Sequence, residues 1–196
     1  MMPEDFEFAL KAWQLITHVA KSPTYRRLKR KLTENEKLEV GSFRPTEIVR
    51  EAWETTFNCA EALKAKTVLF QCPASFEQTT ENIANLEKFF SSIKRGEMIF
   101  AWEPRGDWHP KIVKSICADL DLRHVVDPLK NKSVTPGKVY FRLHGRTVWR
   151  YKYEEGELEE LAAMLPNNKT AYVFFNNIYM TEDAVLFQKI IAAESQ

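Results

Sequence analysis

Several short apolar runs in this chain end in side chains able to bind and activate a small molecule. The strings are Gln71-Cys72-Pro73, Glu103-Pro104-Arg105, Arg142-Leu143-His144-Gly145 and Asn176-Asn177, with Lys11 and Asp127 closing two further runs. Lys11, Arg105 and Arg142, set against Glu103 and Asp127, favour an anionic ligand, because guanidinium forks match a phosphate or carboxylate. Glu103 and His144 are the groups that could take or give a proton. Gln71, Asn176, Asn177 and the Tyr140 hydroxyl could supply hydrogen bonds. Within one run, Val139, Phe141 and Leu143 alternate with Tyr140, Arg142 and His144. Side chains two apart on a strand share a face, so a phenol, a guanidinium and an imidazole should point together away from the apolar face. Burying them is costly unless they pair or meet a ligand, so a plain Arg142 to Glu103 ion pair is the competing structural expectation.

Other chemistry is less well supported. Cys72 follows an apolar run, but buried cysteines are common and inert. His18 and His124 stand alone, no H-x-x-x-H spacing is present, and no metal site is expected. The chain has only six glycines. With no Walker A loop and no G-x-G-x-x-G, no nucleotide device and no cofactor is indicated. Trp102 and Trp108 flank Glu103 and could stack a ring, although packing is the commoner use of so large a side chain. The basic run Arg26-Arg27-Leu28-Lys29-Arg30-Lys31 is followed by Glu34, Glu36 and Glu39, which suggests a solvated segment.

The elements that must position these groups follow from periodicity. Strands are predicted at Phe6 to Lys11, Thr67 to Gln71, Met98 to Glu103, Arg123 to Asp127, Val139 to Gly145 and Thr170 to Asn177. Helices are predicted from Thr46, where Val49, Trp53, Thr56, Ala60 and Leu63 form one stripe, and from a cap at Thr79 or Thr80. Others should start at Pro110, run from Glu154 to Leu165, and run from Glu182 to Ala193. The stretch between the first strand and Thr46 is the least regular. Strand and helix alternate about six times, which means βα units around a parallel sheet. In such folds ligands meet the carboxyl ends of the strands, where the polar strings fall.

With 196 residues, 44% apolar side chains, and 28 basic against 27 acidic groups, the composition is that of one globular domain over residues 1–196. A formal charge of +1 argues against a dedicated nucleic-acid partner. Three scattered cysteines suggest no disulfide framework, and no apolar run approaches a membrane span. A cytoplasmic protein with no membrane partner is expected.

Four strings, in order, carry a resemblance. Phe70-Gln71-Cys72-Pro73-Ala74-Ser75-Phe76, Trp102-Glu103-Pro104-Arg105 with Trp108, Tyr140-Phe141-Arg142-Leu143-His144-Gly145, and Phe174-Phe175-Asn176-Asn177 together resemble the YecE-like proteins of domain of unknown function family 72. Thr17-His18, Ser22-Pro23-Thr24-Tyr25 and Phe43-Arg44-Pro45-Thr46 look like its archaeal branch. The resemblance implies an α/β, TIM-barrel-like (β/α) fold and no established activity. It also implies an incomplete one, about six of eight βα units, because the family's opening G-x-x-x-W and E-x-N-x-T-F-Y type strands have no counterpart here. Open sheet edges would then invite self-association, and a start upstream is the favoured explanation. The leading expectation is an enzyme of unknown reaction, hydrolysis being one candidate, that acts on an anionic small molecule at the strand carboxyl ends. A non-catalytic ligand- or partner-binding module is the alternative, and nucleic-acid processing the third reading.

Overall fold

A computed structural model describes residues 6–166 and 170–194. Six parallel strands alternate with helices, an incomplete TIM-barrel-like α/β succession. The chain forms two compact units, one ending at Leu122 and one beginning at Arg123.

In the N-terminal unit, β1 (Ala9–Lys11), β2 (Thr67–Gln71) and β3 (Ile99–Glu103) lie side by side. The expected β1 is shorter than its apolar pattern, starting at Ala9 rather than Phe6. The irregular stretch after it contains α1 (Gln14–Thr17), a 3-10 segment (Pro23–Arg27) and α2 (Glu34–Glu39). Periodicity could not show elements so short. A capping box does mark α2: Thr33 accepts from the Glu36 amide and Glu36 accepts from the Thr33 amide, satisfying two otherwise orphaned donors. The basic run is exposed, and Arg30 pairs with Glu36 at 2.8 Å.

Next come α3 (Glu47–Ala62), α4 (Thr80–Ser92) and α5 (Pro110–Asp119). Thr79 caps α4 by accepting from the Asn82 amide, and His109 caps α5. Thr46 takes the cap position of α3, but its hydroxyl instead donates to Glu39 O. Leu63, expected on the buried stripe, lies past the helix end and is exposed. The register pairs Val68 with Phe100 and Phe70 with Trp102, so these four share a face. That face packs against rings: Phe70 stacks on Trp53 at 5.6 Å and meets Phe90 at 4.9 Å, while Phe43 meets Phe89 at 5.3 Å. Each ring so buried contributes about 1.5–3 kcal/mol. The opposite face carries Lys11, Gln71 and Glu103.

In the C-terminal unit, which takes all of β4 (Leu122–Val126) but its first residue, β4, β5 (Tyr140–Leu143) and β6 (Tyr172–Phe175) are likewise parallel, with α6 (Glu155–Ala163) and α7 (Met180–Glu194). Glu154 begins α6 through a capping box with Glu157. Val139, Phe141 and Leu143 are buried with Leu158, Leu161, Phe187 and Ile190. The alternation expected for this strand is therefore the one observed, with Tyr140 and Arg142 on the face away from the helices.

Candidate functional site

Strand order and register bring the polar strand ends of the N-terminal unit together. Lys11 pairs with Leu69, and Gln71, two residues beyond Leu69, pairs with Glu103. Three chemically distinct groups thus stand on one face at the strand ends. The Cys72 amide donates to Glu103 O at 3.0 Å, and the Arg105 Nε donates to Glu103 Oε1 at 2.7 Å. Glu103 is nearly buried, whereas Arg105 is 36% exposed along its side chain. The pair is half-wet, so it orients Glu103 more than it stabilises the fold.

The loop after β3 can take this course because residue 106 is glycine. A Cβ there would sit 2.2 Å from Phe76 O, a distance no side chain tolerates. Trp108 then anchors the loop by donating from its indole nitrogen to Phe76 O at 2.7 Å. Trp102 and Trp108 meet edge to face at 5.2 Å and are both buried. They pack the wall behind Glu103.

His18 joins this cluster, which its sequence context did not reveal. It is 6% exposed, and Thr17 Oγ1 lies 2.7 Å from its Nδ1. Its carbonyl accepts from the Tyr25 hydroxyl at 2.7 Å. Burial, then the charges of Lys11 and Arg105, hold its imidazole down to about 4, so it is neutral at ordinary pH. The one sequence signal was the Thr17-His18 pair within the resemblance. Cys72 is fully buried beneath Trp102, whose indole nitrogen approaches its Sγ at 3.3 Å, and burial pushes its thiol well up. A thiolate nucleophile is disfavoured there.

The C-terminal unit holds a second set of groups at its strand ends. Asp127 follows β4, while His144 and Asn176 follow β5 and β6. The Asp127 carboxylate accepts from the amides of Leu129 and His144, each at 3.3 Å, and Lys130 Nζ approaches it at 3.6 Å. Lys130, unremarked in the sequence, also donates to Gly145 O at 2.6 Å. Gly145 adopts φ +81°, and its amide donates to the Tyr153 hydroxyl at 2.8 Å. Asn176 Nδ2 lies 3.0 Å from His144 Nδ1.

Two further sequence candidates are occupied by packing. Tyr140 is 2% exposed and stacks on Tyr172 at 5.8 Å and Phe174 at 5.0 Å. Asn177 is buried, and its amide nitrogen donates to Tyr151 O at 2.7 Å and to Asp183 Oδ2 at 2.6 Å. Arg142 is 9% exposed. Among the described residues no group of three or more His, Cys, Asp or Glu could hold a metal ion, and no helix is long and apolar enough to cross a membrane.

The comparisons with known proteins agree with this architecture. A crystal structure of a DUF72 family protein from Enterococcus faecalis superposes with a TM-score of 0.68 at 24% identity, covering 97% of this chain and 80% of that one. A second, from Thermotoga maritima, gives 0.64 at 23% identity, covering 99% and 75%. At such identities the likeness shows the fold alone. No curated protein matches. The family model described as protein of unknown function DUF72 matches residues 1–195. The chain therefore belongs to the DUF72 family.

Proposed function

We propose that this protein is an enzyme that acts on a small anionic molecule at the carboxyl ends of its strands, by acid–base chemistry of the hydrolytic kind. The observation that carries the reading is the register that sets Lys11, Gln71 and Glu103 on one face at the strand ends, with Arg105 held on Glu103 at 2.7 Å and His18 buried near Lys11 and Arg105. Two cations near one buried imidazole, with Glu103 as the carboxylate beside them, create a positive potential suited to an anion. Arg105 and Lys11 orient the anion, Gln71 and neutral His18 offer hydrogen bonds, and Glu103 serves as base or acid. In the C-terminal unit, Arg142 is the corresponding anion ligand, and His144, set by Asn176, is the corresponding proton carrier.

Inorganic phosphate should raise the melting temperature of the wild-type protein, and Arg105→Gln should diminish that shift without unfolding the chain. Glu103→Gln should keep the shift and lose hydrolysis in a panel of phosphate and carboxylate esters. An undiminished shift in Arg105→Gln, or full hydrolysis in Glu103→Gln, refutes the reading.

One observation favours a non-catalytic, partner-binding reading instead. Val148, Trp149, Ile178, Met180 and Val185 are all 45% or more exposed, and the Ile178 amide donates to Trp149 O at 3.0 Å. Exposed apolar side chains that form one patch often mark interfaces. Sedimentation velocity on the wild type and on Trp149→Ser separates the readings, because only an interface would weaken with the substitution.

A further inference from the structure

Along the outer side of β1 lies a cavity of about 480 Å³, a size that suits a small molecule. Lys11, Trp13, Gln14, Thr24, Arg27 and Cys59 are among its lining residues, and the lining contains no carboxylate. Such a lining is rich in N–H and O–H donors, two of them cationic, and poor in acceptors. Arg27 makes no ion pair among the described residues, although it comes from the basic run whose neighbour Arg30 is neutralised by Glu36. The Trp13 amide is spent on Thr56 Oγ1 at 3.3 Å, which fixes the backbone below the indole. Trp13 itself remains partly exposed. A larger cavity, about 720 Å³, between α3 and α4 carries Glu47 and Glu54 beside Arg44, Arg50, Lys88 and Lys94. Its mixed charges select no ligand, whereas those beside β1 do.

We infer that the cavity beside β1 is a binding site for a small molecule carrying an anionic group, phosphate or carboxylate, on a flat ring. Arg27 meets the anion and Trp13 meets the ring. A guanidinium on an anion forms charge-assisted bonds, and an indole face accepts a planar ring by offset stacking. The site does not rest on the strand-end chemistry proposed above, since Arg27, Trp13 and Cys59 take no part in it.

Cys59 supplies the test, because it is exposed while Cys72 and Cys117 are buried. N-ethylmaleimide, a neutral reagent, should label the native protein at Cys59, with Cys59→Ser as the control for the labelled position. Phenyl phosphate, or benzoate, should slow labelling saturably, by about tenfold when present at ten times its Kd. The two probes distinguish phosphate from carboxylate as the preferred anion, and inorganic phosphate tests the need for the ring. Arg27→Gln should raise the half-protecting concentration by about tenfold or more, the size expected for a lost charge-assisted bond. Trp13→Leu should weaken phenyl phosphate while leaving inorganic phosphate unchanged. Arg105→Gln should leave protection intact, so failure of the strand-end reading is seen separately. Labelling that ignores both probes, or that is protected equally in Arg27→Gln, overturns the inference. So does labelling that slows with protein concentration alone, which would mean that a second copy covers the cavity.

Discussion

The side-chain amide of Asn176 stands 3.0 Å from Nδ1 of His144, joining the loops that follow β5 and β6. An amide nitrogen can only donate, so Nδ1 accepts and the neutral imidazole carries its proton on Nε2. A residue of a neighbouring strand end thus holds this ring in one tautomer and one orientation.

The 15N shifts of His144 should accordingly report the Nε2–H tautomer in the wild type. In Asn176→Ala the two nitrogens should move toward the averaged values of a tautomer mixture. Finding the proton on Nδ1 in the wild type would remove the orienting role of Asn176.

Acid should weaken the fold through two histidines. Burial holds His124 down to about 4 from an ordinary 6.5, and His18 falls equally far through burial and the charges of Lys11 and Arg105. The folded form thus binds these protons less readily than the unfolded chain. Stability is full above 6.5 and is lost as pH falls toward 4, by up to about 1.4 kcal/mol per pH unit for each histidine. His124 Nδ1 also accepts from the Val134 amide at 3.2 Å, a bond that protonation at that atom would break. Urea midpoints between pH 7 and pH 4 should fall, and His124→Gln should flatten the profile.

Tyr153→Phe should cost about 1–3 kcal/mol, because it leaves the Gly145 amide without its acceptor in a buried setting. Leu158→Ala, at a fully buried position of the same core, should cost about 2–5 kcal/mol. Urea denaturation measures both. A larger loss for Tyr153→Phe than for Leu158→Ala would mean that the hydroxyl does more than satisfy one amide.

Gly41→Ala should disturb the neighbourhood of His18. Gly41 adopts φ +82°, and a Cβ would lie 2.3 Å from His18 O, the same carbonyl that receives the Tyr25 hydroxyl. The backbone conformation alone costs a non-glycine residue about 1–3 kcal/mol, and the clash adds to it. A lowered melting temperature, with a smaller phosphate-induced shift, is expected; an unchanged melting temperature would show that this turn can move aside.

Local chemistry made much of this architecture legible in the sequence. Alternation placed Tyr140 and Arg142 opposite Phe141 and Leu143, because a strand has no other way to arrange neighbours. Helical spacing identified the buried stripe of Val49, Trp53, Thr56 and Ala60, and the strand at Thr67–Gln71 ran as its apolar run indicated. Elements of four to six residues between Trp13 and Val40 escaped, since so few turns carry no readable period.

Which groups lie together was decided only by the tertiary structure. His18 follows the shortest of the α-helices and has no local signal, yet its ring lies within the influence of Lys11 and of Arg105, 87 positions further on by the numbering. Asn177 looks like its neighbour Asn176 in the sequence, but packing turned it inward to Tyr151 and Asp183 while Asn176 met His144. Residue type sets what a side chain can do; the register of strands distant in sequence sets which partner it finds, and that depends on burial summed over the whole unit rather than on any local pattern.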